Sequence, residues 1–452
     1  NRPLDYQKSF LEDDSTRIAF CSGRKVGKTE IVATKVLLHA LTTRNAEVLI
    51  IAPTLRQSGI LFERIVRFIN GTPFIRNFII RETQTMMFFK NGAAIYALPA
   101  GRTGFTIRGF CYDNQTEILT DKGWKLFKDL NKSEKIAQVD KDTFEISFVK
   151  PLNWIENDYF GEMVHFKNRQ IDLLVTPEHN VFVEERCQFG KEFIGKYILK
   201  RASDIKKRCK MLKAGSWKGN EIIWKMGMDG DTYCKFMGIW LAEGYAYTHK
   251  RKERKDSYVW QIGISQTTSN IRKIIEIDLI PNLPFHVGIQ SDRYIISSKK
   301  LFSRLAKFGK ARQKFIPIEI MSATPKQIEL FLKWFAYGDG SCKYGKSIRY
   351  RTYSKRMADQ LQELLIKIGR SANLYHYDEG YEICEVGKRF GAIGNSVYID
   401  NKINMKKENY NGKTYCVTVP SGLIVARRNG KPVISGNSPT MIAIDEAAFV
   451  PE

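Results

Sequence analysis

The segment Ser22-Gly23-Arg24-Lys25-Val26-Gly27-Lys28-Thr29 sets small residues beside a lysine and a hydroxyl, the combination needed to hold nucleotide phosphates. Small residues let backbone N–H groups cradle phosphate oxygens, a lysine such as Lys28 meets the β- and γ-phosphates, and a hydroxyl such as that of Thr29 ligates Mg²⁺. Ser22 stands where such loops usually begin with glycine. Far downstream, the apolar run Thr440–Ile444 finishes in Asp445-Glu446. An aspartate at such a strand tip can organise Mg²⁺, and a glutamate beside it can activate water for phosphoryl transfer. Singly, the first motif is also compatible with a glycine-rich turn and the second with a charged strand end.

A strand, a loop and a helix must position the first set. Arg17–Phe20 reads as the strand and Ile31–Leu41 as the helix, while Thr440–Ile444 reads as a buried strand. The difficulty is separation: Lys28 and Asp445 lie 417 residues apart, whereas one domain usually holds both within about 100–150 residues. Tyr6-Gln7, the Arg24-bearing loop, Ala52-Pro53-Thr54 and Ile444-Asp445-Glu446-Ala447-Ala448-Phe449 resemble the ATPase domain of phage terminase large subunits, the motors that package viral DNA. The resemblance covers residues 1–110 and 438–452. It implies ATP and Mg²⁺ as cofactors, with Gln7 sensing adenine, Gly23, Arg24, Gly27, Lys28 and Thr29 on the phosphates, Thr29 and Asp445 on the metal, and Glu446 activating water. The family's coupling motif and nuclease domain do not follow, and the chain opens on Asn1 rather than Met. A fragment that does not itself package DNA is expected.

Between these flanks, Cys111 to Thr120 leads through Asp121-Lys122-Gly123-Trp124 as strand, turn and strand. Val175-Thr176-Pro177-Glu178-His179-Asn180, Tyr415-Cys416-Val417-Thr418-Val419-Pro420 and Val433-Ile434-Ser435-Gly436-Asn437-Ser438 follow. Each alone is ordinary core, turn or loop chemistry. In this order, at the two borders of an insert, they resemble an intein, a self-splicing segment of the Hint fold, covering the 327 residues 111–437. The resemblance implies splicing without a cofactor. The Cys111 thiol attacks the preceding carbonyl, turning the Phe110–Cys111 amide into a thioester. Thr176 and His179 contact that carbonyl and its leaving nitrogen. The Ser438 hydroxyl takes the acyl group, Asn437 cyclises to cut the downstream bond, and an O-to-N shift joins Phe110 to Ser438. Excision would leave Lys28 and Asp445 90 residues apart.

Two positions depart from the pattern. Gly436 replaces the usual penultimate histidine, and Val419-Pro420 is followed by Ser421-Gly422-Leu423 without one. Asparagine cyclisation is then either slow or assisted by another group, such as His165 or a water. Cys416 stands where the family often has a helper Asp or Cys, though an inert core thiol fits equally.

Within the insert, Phe236–Gly244 and Leu332–Gly340 are apolar helical stretches, each ending in an acid followed by glycine, with Glu243 and Asp339 96 residues apart. Basic strand-like sequence follows each, Tyr258–Ser265 and Ser347–Tyr353, then in the second copy an amphipathic helix, Met357–Ile368, so the segment reads as an internal repeat. The pattern resembles LAGLIDADG homing endonucleases. That implies paired helices whose terminal acids, Glu243 and Asp339, hold Mg²⁺ against a phosphodiester, with flanking sheets in the major groove of double-stranded DNA. Trp334 occupies a position usually held by a small residue. Lys355 is a candidate third participant, and the run His249–Lys255 is either a phosphate-contact loop or a solvated one.

Composition agrees with a nucleic-acid partner. The 452 residues carry 72 Lys+Arg against 48 Asp+Glu, a net charge of +24, which favours a polyanion; the 43% hydrophobic content excludes a disordered tail. Residues 213–405 hold 32 basic and 19 acidic residues, over half of that excess. The eight cysteines form no CxxC pair and no stretch approaches 18 apolar residues, so a reducing cytoplasm, that of a phage or prophage host, is expected, with no membrane association. The expected fold class is multidomain: a β-rich Hint splicing fold at 111–212 and 406–437, an α/β LAGLIDADG endonuclease at 213–405, and flanking fragments of an α/β P-loop ATPase at 1–110 and 438–452. A monomer is expected, with the host terminase assembly as a partner after splicing. The rivals are a packaging ATPase with a stable non-splicing insertion and a splicing-only intein with a decayed endonuclease.

Overall fold

A computed structural model of the chain describes residues 3–15, 18, 20, 26–44, 46–52, 54–99, 111–131, 133–186, 193, 195–250, 258–343, 347–386, 394–436 and 441–444. The sequence-selected residues Gly23, Arg24, Asn437, Ser438, Asp445 and Glu446 lie outside them, as do Phe110, parts of the expected strand Arg17–Phe20 and most of the basic run His249–Lys255. No helix among the described residues is long and apolar enough to cross a membrane.

The two ends of the chain share one sheet. Glu47–Ala52 pairs in parallel with Ala94–Pro99 on one side and with Met441–Ile444 on the other, Val48 facing Met441 and Ile51 facing Ile444. Val48, Ile50 and Ile95 are buried, as expected for parallel strands covered by helices. The helices Lys28–Thr42 and Leu55–Asn70 supply Val36, Leu37, Leu61 and Ile65 to the same core. Thr54 starts the second helix by accepting from the Gln57 amide at 3.3 Å. The strands therefore pair around everything between them.

From Cys111 the chain turns β-rich. Asn153–Lys167 and Met405–Thr418 form a long antiparallel ribbon, with Asp172–Val175 on its edge. A second sheet orders Lys431–Gly436, Leu423–Arg428, Glu117–Thr120, Ile136–Val139 and Ile146–Val149. A third orders Ile198–Arg201, Asn180–Glu185, Cys209–Leu212 and Ser396–Ile399. The last strand, 396–399, lies within the 213–405 segment of the sequence reading and completes this sheet, with Val397 opposite Met211. Its alternating pattern is short, and only the pairing partner reveals its side.

Residues 230–385 repeat one plan. A helix, Gly230–Glu243 or Pro325–Asp339, runs directly into a hairpin, then a helix, then a second hairpin. Each copy forms a four-stranded sheet with its strands in the same order, Gly244–Lys250, Tyr258–Ser265, Arg293–Ser297, Val287–Ile289 in the first and Gly340–Lys343, Ser347–Thr352, Gly380–Glu385, Ala372–Tyr377 in the second. Asp229 caps the first helix by accepting from the Thr232 amide at 2.9 Å, and Pro325 opens the second at a position where no amide donor is needed. Both helices bury apolar faces in a single core with Phe236, Ile239, Phe331 and Phe335.

Candidate functional site

The first site lies where the chain at Cys111 and Tyr112 meets the strand Lys431–Gly436. Tyr112 bridges Val175 and Tyr415, exchanging amide and carbonyl with Tyr415 at 2.9 Å in both directions, and this wedges Cys111 between the two strands. The Cys111 amide donates to the Thr176 hydroxyl at 3.1 Å. The Thr176 amide in turn donates to the Cys111 carbonyl at 3.1 Å. His179 is held in the same turn, its amide donating to the Thr176 carbonyl at 3.0 Å. Its Nε2 lies 3.1 Å from the Ser435 hydroxyl, and its ring stands edge-on to Tyr112 with centroids 4.4 Å apart. The Tyr112 hydroxyl donates to the Gly436 carbonyl at 2.5 Å. One side chain thus spans from residue 112 to the last described residue before Asn437.

Cys111, Thr176, His179 and Cys416 are all buried. Burial pushes the Tyr112 phenol well above its ordinary value, and the neighbouring Cys416 and Cys111 thiols push it further, so it remains a donor. The glycine at position 436 has a steric cause. A Cβ at Gly436 would lie 2.2 Å from the Asn180 carbonyl oxygen, so no imidazole fits there.

His165, the other histidine considered for the downstream border, sits between two carboxylates. Its Nδ1 lies 2.8 Å from Glu408 and its Nε2 2.8 Å from Asp172, so both ring nitrogens are engaged by carboxylates. Asp172 also receives Arg428 at 2.5 Å and Asn429 at 3.0 Å, and Arg428 reaches Asp113 at 2.9 Å. Burial opposes charge on His165, but the two carboxylates prevail and raise its pKa. This network ties the strands Asn153–Lys167, Asp172–Val175, Met405–Thr418 and Leu423–Arg428 together.

The second site is the junction of the two repeated helices. A Cβ on Gly238 would lie 2.7 Å from the Phe331 carbonyl and 2.8 Å from the Trp334 Cβ, and one on Gly338 would lie 2.6 Å from Ala242 Cβ and Glu243 Cγ. Glycine at both positions lets the helices touch backbone to backbone. Gly238 also resolves the size of Trp334, which is buried against it. The contact brings Glu243 and Asp339 together at the helix ends. Burial, then the Glu243 charge, pushes the Asp339 carboxyl up to about 7, with Lys314 opposing. Burial also raises Glu243.

Lys314 was not selected from the sequence, and no motif around it signals its place. Only 6% exposed, its ammonium donates to the carbonyls of Leu241 at 2.9 Å, Gly244 at 2.7 Å and Trp240 at 3.3 Å, closing the end of the first acidic helix beside both carboxylates. Burial pulls its pKa down to about 8, while Asp339 and Glu243 favour its charge. Lys355, the sequence candidate for this part, instead pairs with Asp359 at 2.6 Å one helical turn away. Two half-buried carboxylates with one nearby cation leave a surplus of negative charge and hard oxygen donors, a set that fits a divalent cation. Among the described residues no group of three or more His, Cys, Asp or Glu gathers as a metal cluster.

The third site is partly described. Gly27 takes a left-handed φ of 83° and leads into the Lys28–Thr42 helix, so Lys28 and Thr29 stand in its first turn. The Gln7 amide lies 3.5 Å from the Val26 carbonyl, and the Tyr6 hydroxyl donates to the same oxygen. Tyr6-Gln7 is therefore packed on the loop, and a Cβ on Gly27 would meet Gln7 at 2.9 Å.

No family model matches the chain. It is 24% identical over 400 residues to a DNA-directed RNA polymerase subunit beta C-terminal section of Stigeoclonium helveticum, covering 73% of this chain and 36% of that protein. It is 24% identical over 428 residues to a ribonucleoside-diphosphate reductase subunit beta of Aquifex aeolicus, covering 83% and 58%. To an ATP-dependent Clp protease proteolytic subunit of Chlamydomonas moewusii it is 24% identical over 293 residues, covering 58% and 28%. The chain thus spans 28–58% of the length of these curated relatives. Similar solved structures include I-DmoI in complex with its target DNA in the presence of Mn, at 17% identity and a TM-score of 0.28 over 35% of this chain and 89% of that one. A splice-inactive variant of the AceL NrdHF class 3 split intein is 9% identical with a TM-score of 0.26, over 73% of this chain and 98% of that one.

Proposed function

We propose that residues 111–437 excise themselves and join Phe110 to Ser438, and that the same insert cuts double-stranded DNA at a specific site. The observation that carries the splicing reading is the contact between the borders: Tyr112 donates to the Gly436 carbonyl while Thr176 accepts from the Cys111 amide. A contact that ties the two borders together favours the intramolecular steps that splicing requires. The curated relatives support it differently. Their printed names share no activity, as expected if what they have in common with this chain is an insert.

In the first step the Cys111 sulfur bonds to the Phe110 carbonyl carbon and the Phe110–Cys111 C–N bond breaks, the proton passing to the departing nitrogen. Thr176, already on that nitrogen, orients it. The Ser438 hydroxyl then displaces the thiol to form an ester. The Asn437 side-chain nitrogen attacks its own carbonyl, releasing the Ser438 amine, which captures the acyl group from its own oxygen. Mass spectrometry of the chain incubated with reductant is expected to show a 327-residue excised species; a chain that yields neither this nor a thiol-cleaved product refutes the reading. Cys111→Ala should abolish ligation.

For the nuclease, Glu243 and Asp339 would hold Mg²⁺, which when bound supplies a Lewis acid for water activation and leaving-oxygen charge. Lys314 steadies the end of the Glu243 helix and moderates the repulsion between the acids. The two four-stranded sheets offer the faces on which a duplex would lie. The host of the insert is read as a terminase ATPase, in which Gln7, Lys28, Thr29, Asp445 and Glu446 would serve ATP and Mg²⁺.

A further inference from the structure

The helix Lys355–Lys367 belongs to two cores at once. Met357, Leu361, Leu364 and Leu365 are buried among the nuclease residues, whereas Ile366 is buried with Leu423, Val425 and Ile434 of the splicing sheet. Ser354 fixes its start, accepting from the Met357 amide at 3.2 Å.

The same helix grips the downstream hairpin, Leu423–Arg428 and Lys431–Gly436, through polar contacts. Arg427, 1% exposed, forks onto Glu117 of the splicing sheet with two bonds of 2.7 Å. Its remaining arm donates to Asp359 at 2.7 Å and to the Gln362 carbonyl at 2.8 Å. A guanidinium this buried requires both carboxylates, because desolvation of a charge is offset only by well-aligned partners. At the hairpin tip the Gln362 amide donates to the Gly430 carbonyl at 2.8 Å. The Leu374 amide, from the strand Ala372–Tyr377 of the nuclease, donates to the same oxygen at 2.9 Å. A Cβ on Gly430 would lie 2.1 Å from the Leu374 carbonyl, so the hairpin is pressed onto the nuclease without clearance.

We infer that the endonuclease is a splint for the splicing reaction: Asp359 and Gln362, acting through Arg427 and Gly430, are positioning residues that hold the strand ending at Gly436 in register with Tyr112. This rests on the splicing reading. The hairpin's far strand carries the Gly436 carbonyl that Tyr112 engages, and with no side chain possible at Gly436, backbone placement is what remains to orient the downstream bond. The reaction at the downstream border therefore depends on the nuclease body, while the thioester step, built on Thr176 and Tyr415, does not.

The test uses the full chain with Asp359→Ala, Gln362→Ala, the double variant and the conservative Asp359→Glu. Release at the downstream border is expected to slow on the order of tenfold or more in the double variant. Thiol-induced cleavage between Phe110 and Cys111 and Mg²⁺-dependent DNA cutting should stay within about twofold, and Asp359→Glu should recover most of the downstream rate. An unchanged downstream rate overturns the inference, as does a loss of all three activities that Asp359→Glu does not restore. If the parent chain cleaves at neither border, the splicing reading fails, and amide hydrogen exchange of residues 423–436 then judges the splint separately. Faster exchange there than in 153–175 supports it; equal exchange overturns it.

Discussion

Asp339 carries the strongest electrostatic tension among the acids at the helix junction. Its carboxyl is pushed from 3.8 up to about 7, so the folded state holds its proton more tightly than the unfolded chain does. The associated stability is complete below about pH 3.8 and is lost as pH rises through about 7. Asp339→Asn should therefore raise the thermal midpoint at pH 8 by at least about 2 °C and flatten its dependence between pH 4 and 7, read by calorimetry, while abolishing DNA cutting. Cutting by the parent should fall as pH drops below about 7, because a protonated carboxyl is a poor ligand for a divalent cation. A pH profile of cutting at subsaturating Mg²⁺, where the proton competes with the metal, checks this. At the downstream border, Gly436→His should not restore a missing assistant. With Asn180 2.2 Å from the added Cβ, the strand must shift, and excision measured by mass spectrometry should be slower than in the parent.

The paired helices work through what they lack. Gly238 and Gly338 have no room for a Cβ, so Gly238→Ala should force the helices apart and destabilise the nuclease by about 1–3 kcal/mol. DNA cutting should fall with it while thiol-induced cleavage at Cys111 persists. This element was legible because its glycines and acids sit at fixed short spacings on one helix. The size of Trp334 argued against close packing until Gly238 was found opposite it, a complementarity between positions 96 residues apart. Lys314 was not legible at all, since a loop lysine differs from any other until the helix end it closes is located. Lys355, the candidate from the sequence, pairs with Asp359.

Across the whole molecule, the pairing of Glu47–Ala52 with Met441–Ile444 bears on the proposed ATPase reading of the flanks, in which Asp445 can serve the phosphate loop before excision only if these strands pair around the insert. They do pair, so the unspliced chain should bind a fluorescent ATP analogue in Mg²⁺, with affinity reduced about tenfold or more by Lys28→Ala; fluorescence titration of a splicing-blocked Cys111→Ala chain measures both.

Residue types, local periodicity and turn chemistry are properties of a few consecutive positions, and the sequence by itself determined them: a thiol before a strand, Thr-Pro-Glu-His in a turn, acid-glycine ends on two apolar helices, a glycine-rich loop before a helix. Tertiary structure alone decided which of these meet. The contact of Tyr112 with Gly436, the closure of a helix end by Lys314, the sharing of Arg427 between two bodies and the raised carboxyl of Asp339 all require segments tens to hundreds of residues apart to close upon one another. Loop closure depends on the packing of whole cores rather than on neighbouring residues, and burial, which sets the charge states, exists only once those cores have formed.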